Sequence, residues 1–207
     1  MFSSDLLASD VAFERLLDEI RHSIPNAIRD VITCAPTYLL MGMSAETFWG
    51  GVAGNIAFED RVRRRSNGLG VSTGASACRD ALRAFGAERI SVFSPYQPVA
   101  DQHVSTFFTE AGFEVASVTG LRCPSATAIA KVTPEMLTPV VESLDGPDVD
   151  AIVQVGTNLS FVHQAAQLEH ELGKPVLAIN VATLWHALRA TGIDDQITGF
   201  GRILAEH

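Results

Sequence analysis

Basic residues are few in this chain, and cysteines fewer still. Fifteen Lys and Arg stand against twenty-four Asp and Glu, a formal net charge of −9 at pH 7. A nucleic-acid surface, which neutralises phosphates with clustered cations, is therefore excluded as the main partner. The one basic run, Arg61 and Arg63 to Arg65, reads as a solvated helix end, where cations complement the helix dipole. Cys34, Cys78 and Cys123 are odd in number and share no CxxC spacing. They indicate neither a disulfide framework nor a cysteine zinc site, and a reduced, cytoplasmic location is expected. There is no long uncharged apolar run to span a membrane. The start, Met1-Phe2-Ser3-Ser4-Asp5, lacks the basic and apolar stretches of a signal peptide. What the chain does have is apolar bulk. Hydrophobic residues make up 47% of 207 positions and charged ones 19%, enough for one large domain or two small lobes.

Leu6, Leu7, Phe13, Leu16, Leu17 and Ile20 recur at helical spacing, and Ile28, Val31, Ile32 and Ala35 do so again after Pro25. This predicts two successive helices, with Pro25 in the first turn of the second. The run Thr37 to Met41 reads as a buried strand ending at Gly42, followed by a helix opening near Ser44. Further strands are expected at 69–72, 90–94, 113–118, 151–155 and 176–179, with helices near 74–85, 98–111, 134–144, 159–172 and 181–191. Such alternation predicts an α/β fold with mostly parallel sheets covered on both faces. The segment Ala81-Leu82-Arg83-Ala84-Phe85-Gly86 is echoed by Ala187-Leu188-Arg189-Ala190-Thr191-Gly192, and the strand end at Gly42-Met43-Ser44 by that at Gly156-Thr157-Asn158. Two related lobes follow, residues 1–70 with 180–207 and residues 71–179, with a ligand between them at the carboxyl ends of the strands.

Gly42-Met43-Ser44 and Gly156-Thr157-Asn158 each set a glycine at a strand-to-helix turn, where outward N–H groups and the helix dipole favour an anion. Glycine also occupies such turns for its dihedral freedom alone. In Ser94-Pro95-Tyr96 the tyrosine hydroxyl can donate to a carboxylate or simply close a core edge. Cys123 lies in a loop beside Arg122, a neighbour able to lower its pKa and make it a candidate thiol. Cys34 and Cys78 fall on helices and read as small buried hydrophobes. His163 and His170 share a helix face without a third metal ligand, and His186 is read as a core or surface residue or as an acid near the cleft.

Gly42-Met43-Ser44, Val71-Ser72-Thr73, Pro95-Tyr96, Asp150-Ala151-Ile152-Val153, Gly173-Lys174-Pro175-Val176 and Gly199-Phe200-Gly201-Arg202 occur in an order that resembles the Asp/Glu racemase superfamily. Within it the sequence is most similar to the maleate cis-trans isomerase and arylmalonate decarboxylase group. The resemblance implies two flavodoxin-like (Rossmann-like) lobes related by a pseudo-twofold axis, no metal or organic cofactor, and a small mono- or dicarboxylate in the cleft. It also implies chemistry at strand-end cysteines, two in racemases and only the second in arylmalonate decarboxylases, where the first is glycine; both positions are glycine here, Gly42 and Gly156. Carboxylate binding falls to Ser44, Tyr96 and the backbone of Thr157 and Asn158. Met43 stands in place of a threonine, and Ala126 in place of a carboxylate-binding asparagine, which tilts the pocket toward an apolar substituent. Relatives begin with a strand whose loop walls the carboxylate site, whereas this chain begins with helix: either the start codon is placed too late or the first lobe lacks that strand, and a missing strand leaves an edge for homo-oligomerisation to cover. The expected activity is cofactor-independent isomerisation or decarboxylation through an enediolate. The alternative is a non-catalytic carboxylate-binding or scaffold protein.

Overall fold

The structure, a computed structural model, describes residues 8–207; Leu6 and Leu7 of the expected first helix lie outside them. Helix α1 (Asp10–Ile32) is capped by Ser9, whose hydroxyl accepts from the Ala12 N–H at 3.2 Å. The expected break at Pro25 does not occur: Pro25 sits inside one helix of 23 residues. Proline removes the partner of the Arg21 carbonyl. The buried face nevertheless runs past it, from Phe13 and Leu17 to Ile28, and packing outweighs the lost bond.

Strand β1 (Tyr38–Leu40) pairs in parallel with β2 (Gly70–Ser72), Leu39 opposite Val71. Between them run α2 (Ala45–Phe48) and α3 (Gly51–Arg65), the latter closing on Arg63, Arg64 and Arg65 as expected of a basic helix end. The strand expected over 37–41 is shorter than predicted and not fully buried. Leu40 is 48% exposed, because among the described residues β2 is the one strand beside β1. β2, paired to β1, straddles residue 70, where the lobe boundary is drawn.

After α4 (Gly74–Ala84) comes a four-stranded parallel sheet in the order β4-β3-β5-β6. It is formed by β3 (Arg89–Ser94), β4 (Glu114–Gly120), β5 (Ala151–Gln154) and β6 (Val176–Ala178). β5 and β6 are buried throughout and β3 beyond its first residue, which is why their sequences read as unbroken apolar runs. Helices α5 (Pro98–Glu110), α6 (Ala126–Ala130), α7 (Pro134–Leu144), α8 (Val162–Leu172), α9 (Ile179–Ala190) and α10 (Arg202–Glu206) complete the chain. The fold is thus mixed α/β with two parallel sheets.

Two apolar cores match the two sheets. The large one includes Phe93, Phe107, Phe108, Leu137 and Ile152, and the small one gathers Ile28, Leu39, Phe58, Val62 and Val71. Helix α9 joins them, packing on β1, β2, β6 and α4. The echoed segments are the closing turns of α4 and α9, which pack together; each ends on a left-handed glycine, Gly86 (φ 68°) and Gly192 (φ 76°). No helix among the described residues is long and apolar enough to cross a membrane. Nor, among those residues, are three His, Cys, Asp or Glu placed to hold a metal ion.

Candidate active site

Parallel strands carry their loops out at their carboxyl ends, and here β1, β3 and β5 bring three such loops to one place. Met43 and Ser44 follow β1, Pro95 and Tyr96 follow β3, and Gly156, Thr157 and Asn158 follow β5. All seven line one cavity of about 120 Å³, whose remaining walls are Phe13, Leu16, Leu17 and Ile20 of α1, Ala45, and Ile129 of α6. An apolar cavity of about 150 Å³ takes a benzene ring. This one is of the size for a single small ring or a four-carbon acid.

Its polar groups form a short chain. The Thr157 N–H donates to Ser44 Oγ at 3.2 Å, and Ser44 Oγ lies 2.5 Å from the Tyr96 hydroxyl. The Thr157 N–H thus fixes the Ser44 oxygen as an acceptor. One hydroxyl proton serves their mutual bond, and the other remains for a ligand. Ser44 opens α2 but its hydroxyl caps nothing there, being committed to Tyr96. Burial pushes the Tyr96 phenol up to about 12, although the Ser44 bond works the other way. It is therefore a neutral donor across the physiological range.

Tyr96 is held from behind. Its N–H donates to Ser94 Oγ at 3.0 Å, Ser94 in turn donates to Asp101 of α5, and Arg122 bridges Asp101 and the Tyr96 carbonyl. Burial raises the Asp101 carboxyl pKa while the Ser94 and Arg122 bonds oppose it. Nothing in the sequence marks Asp101 for this role, since its partners are 7 and 21 residues away.

Gly42, Cys123 and Ala126 do not line the cavity. Gly42 is exposed at the strand end, with open space where a side chain would project, whereas a Cβ on Gly156 would come within 2.5 Å of the Pro95 ring. Cys123 is buried, and its thiol is pushed up by desolvation rather than lowered by Arg122, whose guanidinium is spent on Asp101 and the Tyr96 carbonyl. Ala126 is exposed and contributes its carbonyl, which accepts from Asn158 Nδ2 at 2.5 Å. Cys34 is exposed beyond the end of α1, not buried on a helix, while Cys78 is fully buried in α4. His186 stands away from the cavity, between Ser72 Oγ at 2.7 Å and Asp80 Oδ2 at 3.3 Å. Ser72 has no exposed surface, so this Ser-His-Asp chain fastens β2 to α4 and α9 rather than presenting a nucleophile.

The sequence pattern found the apolar residues of α1 but not what they cover. Phe13, Leu16, Leu17 and Ile20 read as core, and tertiary packing makes them the wall of the site. Arg21 holds that wall down through buried Glu46 of α2 at 2.8 Å, and Asp10 accepts from the Val99 N–H of α5 at 3.0 Å.

Two parallel α/β sheets thus meet at a small, uncharged cavity between strand ends, lined by two hydroxyls and an apolar wall. The sequence pattern of the arylmalonate decarboxylase family matches residues 7–204, and the chain belongs to that family. A maleate isomerase of Pseudomonas putida is 30% identical over 136 residues, 65% of this chain and 54% of that protein. The arylmalonate decarboxylase of Bordetella bronchiseptica is 28% identical over 170 residues, 81% of this chain and 70% of that one. This chain matches little more than half the length of several maleate isomerases, 54–58%. In fold it is similar to a Nocardia farcinica maleate cis-trans isomerase mutant carrying a covalently bound succinylcysteine intermediate. That likeness has a TM-score of 0.88 at 22% identity and covers 97% of this chain and 82% of the other.

Proposed function

We propose that the protein binds a small mono- or dicarboxylate in the cavity between Ser44, Tyr96 and the Gly156-Thr157-Asn158 turn, and stabilises an enediolate formed there by decarboxylation or isomerisation. The observation that carries this reading is the hydroxyl pair of Ser44 and Tyr96, fixed at Ser44 by the Thr157 N–H, in a pocket with an apolar wall. Preorganised donors in a dry site can each contribute about 3–4 kcal/mol to a developing oxyanion. The family supports cofactor-independent chemistry, and three free cysteines support action in the cytoplasm. The two-lobed division drawn from the sequence and homo-oligomerisation through the free edge of β1 are part of the same reading. A second reading, a carboxylate-binding or scaffold protein without turnover, rests on Gly42 and Gly156 carrying no side chain where the resemblance puts cysteines.

Proton NMR on maleate, phenylmalonate and 2-methyl-2-phenylmalonate in D2O separates the two. Saturation transfer with turnover supports the enzyme, transfer without turnover supports the binding protein, and silence from all three acids refutes both. Replacing Ser44→Ala is expected to weaken acid binding about tenfold, the worth of one hydrogen bond to a charged group.

A further inference from the structure

The cavity poses a question of proton supply. No Cys, His, Asp, Glu, Lys or Arg is among the described residues that line it. Cys78 is sealed in the core and Cys123 lies outside the cavity, both with thiols pushed upward by burial. His103 stacks on Trp49, His163 lies against Phe200, and His186 is engaged by Ser72 and Asp80. Among the described residues, the one titratable side chain on the cavity wall is Tyr96.

We propose that Tyr96 is the proton donor of this site, delivering its hydroxyl proton to the substrate carbanion either directly or through the Ser44 hydroxyl, and that the reaction it serves is decarboxylation. The proposal rests on the carboxylate reading above. The geometry supplies the path: the two hydroxyls are 2.5 Å apart on the cavity wall, Ser44 already accepts the Thr157 N–H, and one proton of the pair is not needed for their mutual bond. Chemistry supplies the direction. A phenol is far too weak a base at neutral pH to remove a proton beside a carboxylate. It is nevertheless a much stronger acid than the carbon centre it would protonate. Loss of CO2 from a malonate breaks the C–C bond and leaves its electron pair in an enediolate. That pair takes the Tyr96 proton to form the C–H bond, giving the monocarboxylate and a tyrosinate, and the tyrosinate recovers its proton from water. Addition of a nucleophile to the double bond of maleate, by contrast, needs a thiolate that this wall does not carry.

The test uses 2-methyl-2-phenylmalonate, whose product acquires a stereocentre on protonation, with phenylacetate as the binding probe. Wild-type protein is expected to give one enantiomer in excess and to leave maleate unchanged. In Tyr96→Phe, kcat should fall by at least about a hundredfold, the usual worth of a positioned acid. Residual product that is racemic, or no product while phenylacetate still binds within about tenfold of wild type, supports the assignment. Residual product of unchanged enantiomeric excess, or loss of phenylacetate binding together with turnover, overturns it and leaves Tyr96 as a binding group. Isomerisation of maleate by the wild type also overturns it. Wild-type protein that neither binds phenylacetate nor turns over either acid defeats the carboxylate reading itself.

Discussion

Gly42 and Gly156 close equivalent strand ends, yet the space around them differs. A side chain on Gly42 meets nothing within 4 Å, whereas one on Gly156 drives into the Pro95 ring at 2.5 Å. Gly42→Cys is therefore expected to leave thermal stability within about 0.5 kcal/mol of wild type, as for an unobstructed surface change. Gly156→Cys should cost about 1–3 kcal/mol through overpacking. Thermal melts of the two variants check this, and equal melting temperatures would contradict the crowding. Tyr96 yields a second expectation. Its phenol titrates near 10 in the unfolded chain and near 12 when folded. Between those values the unfolded state has lost a proton that the native state keeps, so stability should fall as pH rises from about 10 to 12. Denaturant melts of wild type and Tyr96→Phe across this window give the sign, and the variant should show the shallower loss.

Helix α1 illustrates how one element acquires two jobs. Its apolar stripe closes the small core through Ile28 and walls the cavity through Phe13 and Leu17. The junction between those regions is fastened by Arg21, which bonds Glu46 and lies over Trp49 at 5.5 Å. Glu46 is 4% exposed and has one other cation near it, Arg61 at 3.7 Å. Removing Arg21 leaves a buried carboxylate half compensated. Arg21→Ala is thus expected to lose roughly 3 kcal/mol in chemical denaturation, and to loosen carboxylate binding because the wall is no longer pinned to α2. Arg21→Ala with Glu46→Gln should recover part of the stability, since the uncompensated charge is gone; no recovery would mean the pair is not the fastening.

At the scale of the whole molecule, the inner strands β3 and β5 of the four-stranded sheet are flanked on both sides, whereas β1 has β2 as its one partner among the described residues. Parallel strands are normally buried on both faces and flanked by partners. β1 instead borders a groove of about 300 Å³ lined by Ile24, Val31, Leu40 and Met41, with Val31 43% exposed and Leu40 48%. If that edge pairs with a second copy, sedimentation will show a species of twice 22.2 kDa, and Leu40→Lys, which sets a charge on the edge, will return the chain to a monomer. A monomeric wild type at tens of micromolar would dismiss the pairing.

Much of this protein was legible in the order of its residues. Largely apolar runs of four or five gave β3, β5 and β6, because a strand buried on both faces needs no alternation, and Gly42 after β1, Pro95 after β3 and Gly156 after β5 marked the turns that lead to the cavity. Ser44, Tyr96 and Thr157 were each visible as donors at strand ends. Their convergence was implied by the family resemblance and by no local pattern, since residues 52 and 113 positions apart meet only when parallel strands align their carboxyl ends. Local rules misjudged Pro25, where a continuous apolar face overrode a missing N–H, and Cys123, where Arg122 turned to Asp101 instead. Composition and periodicity decided the α/β class, because they record which faces are buried. Only tertiary structure decided that α1 walls the site, that Pro95 fills the space beside Gly156, and that Tyr96 is the one titratable group on the cavity among the described residues, because each depends on distances between elements that no local pattern encodes.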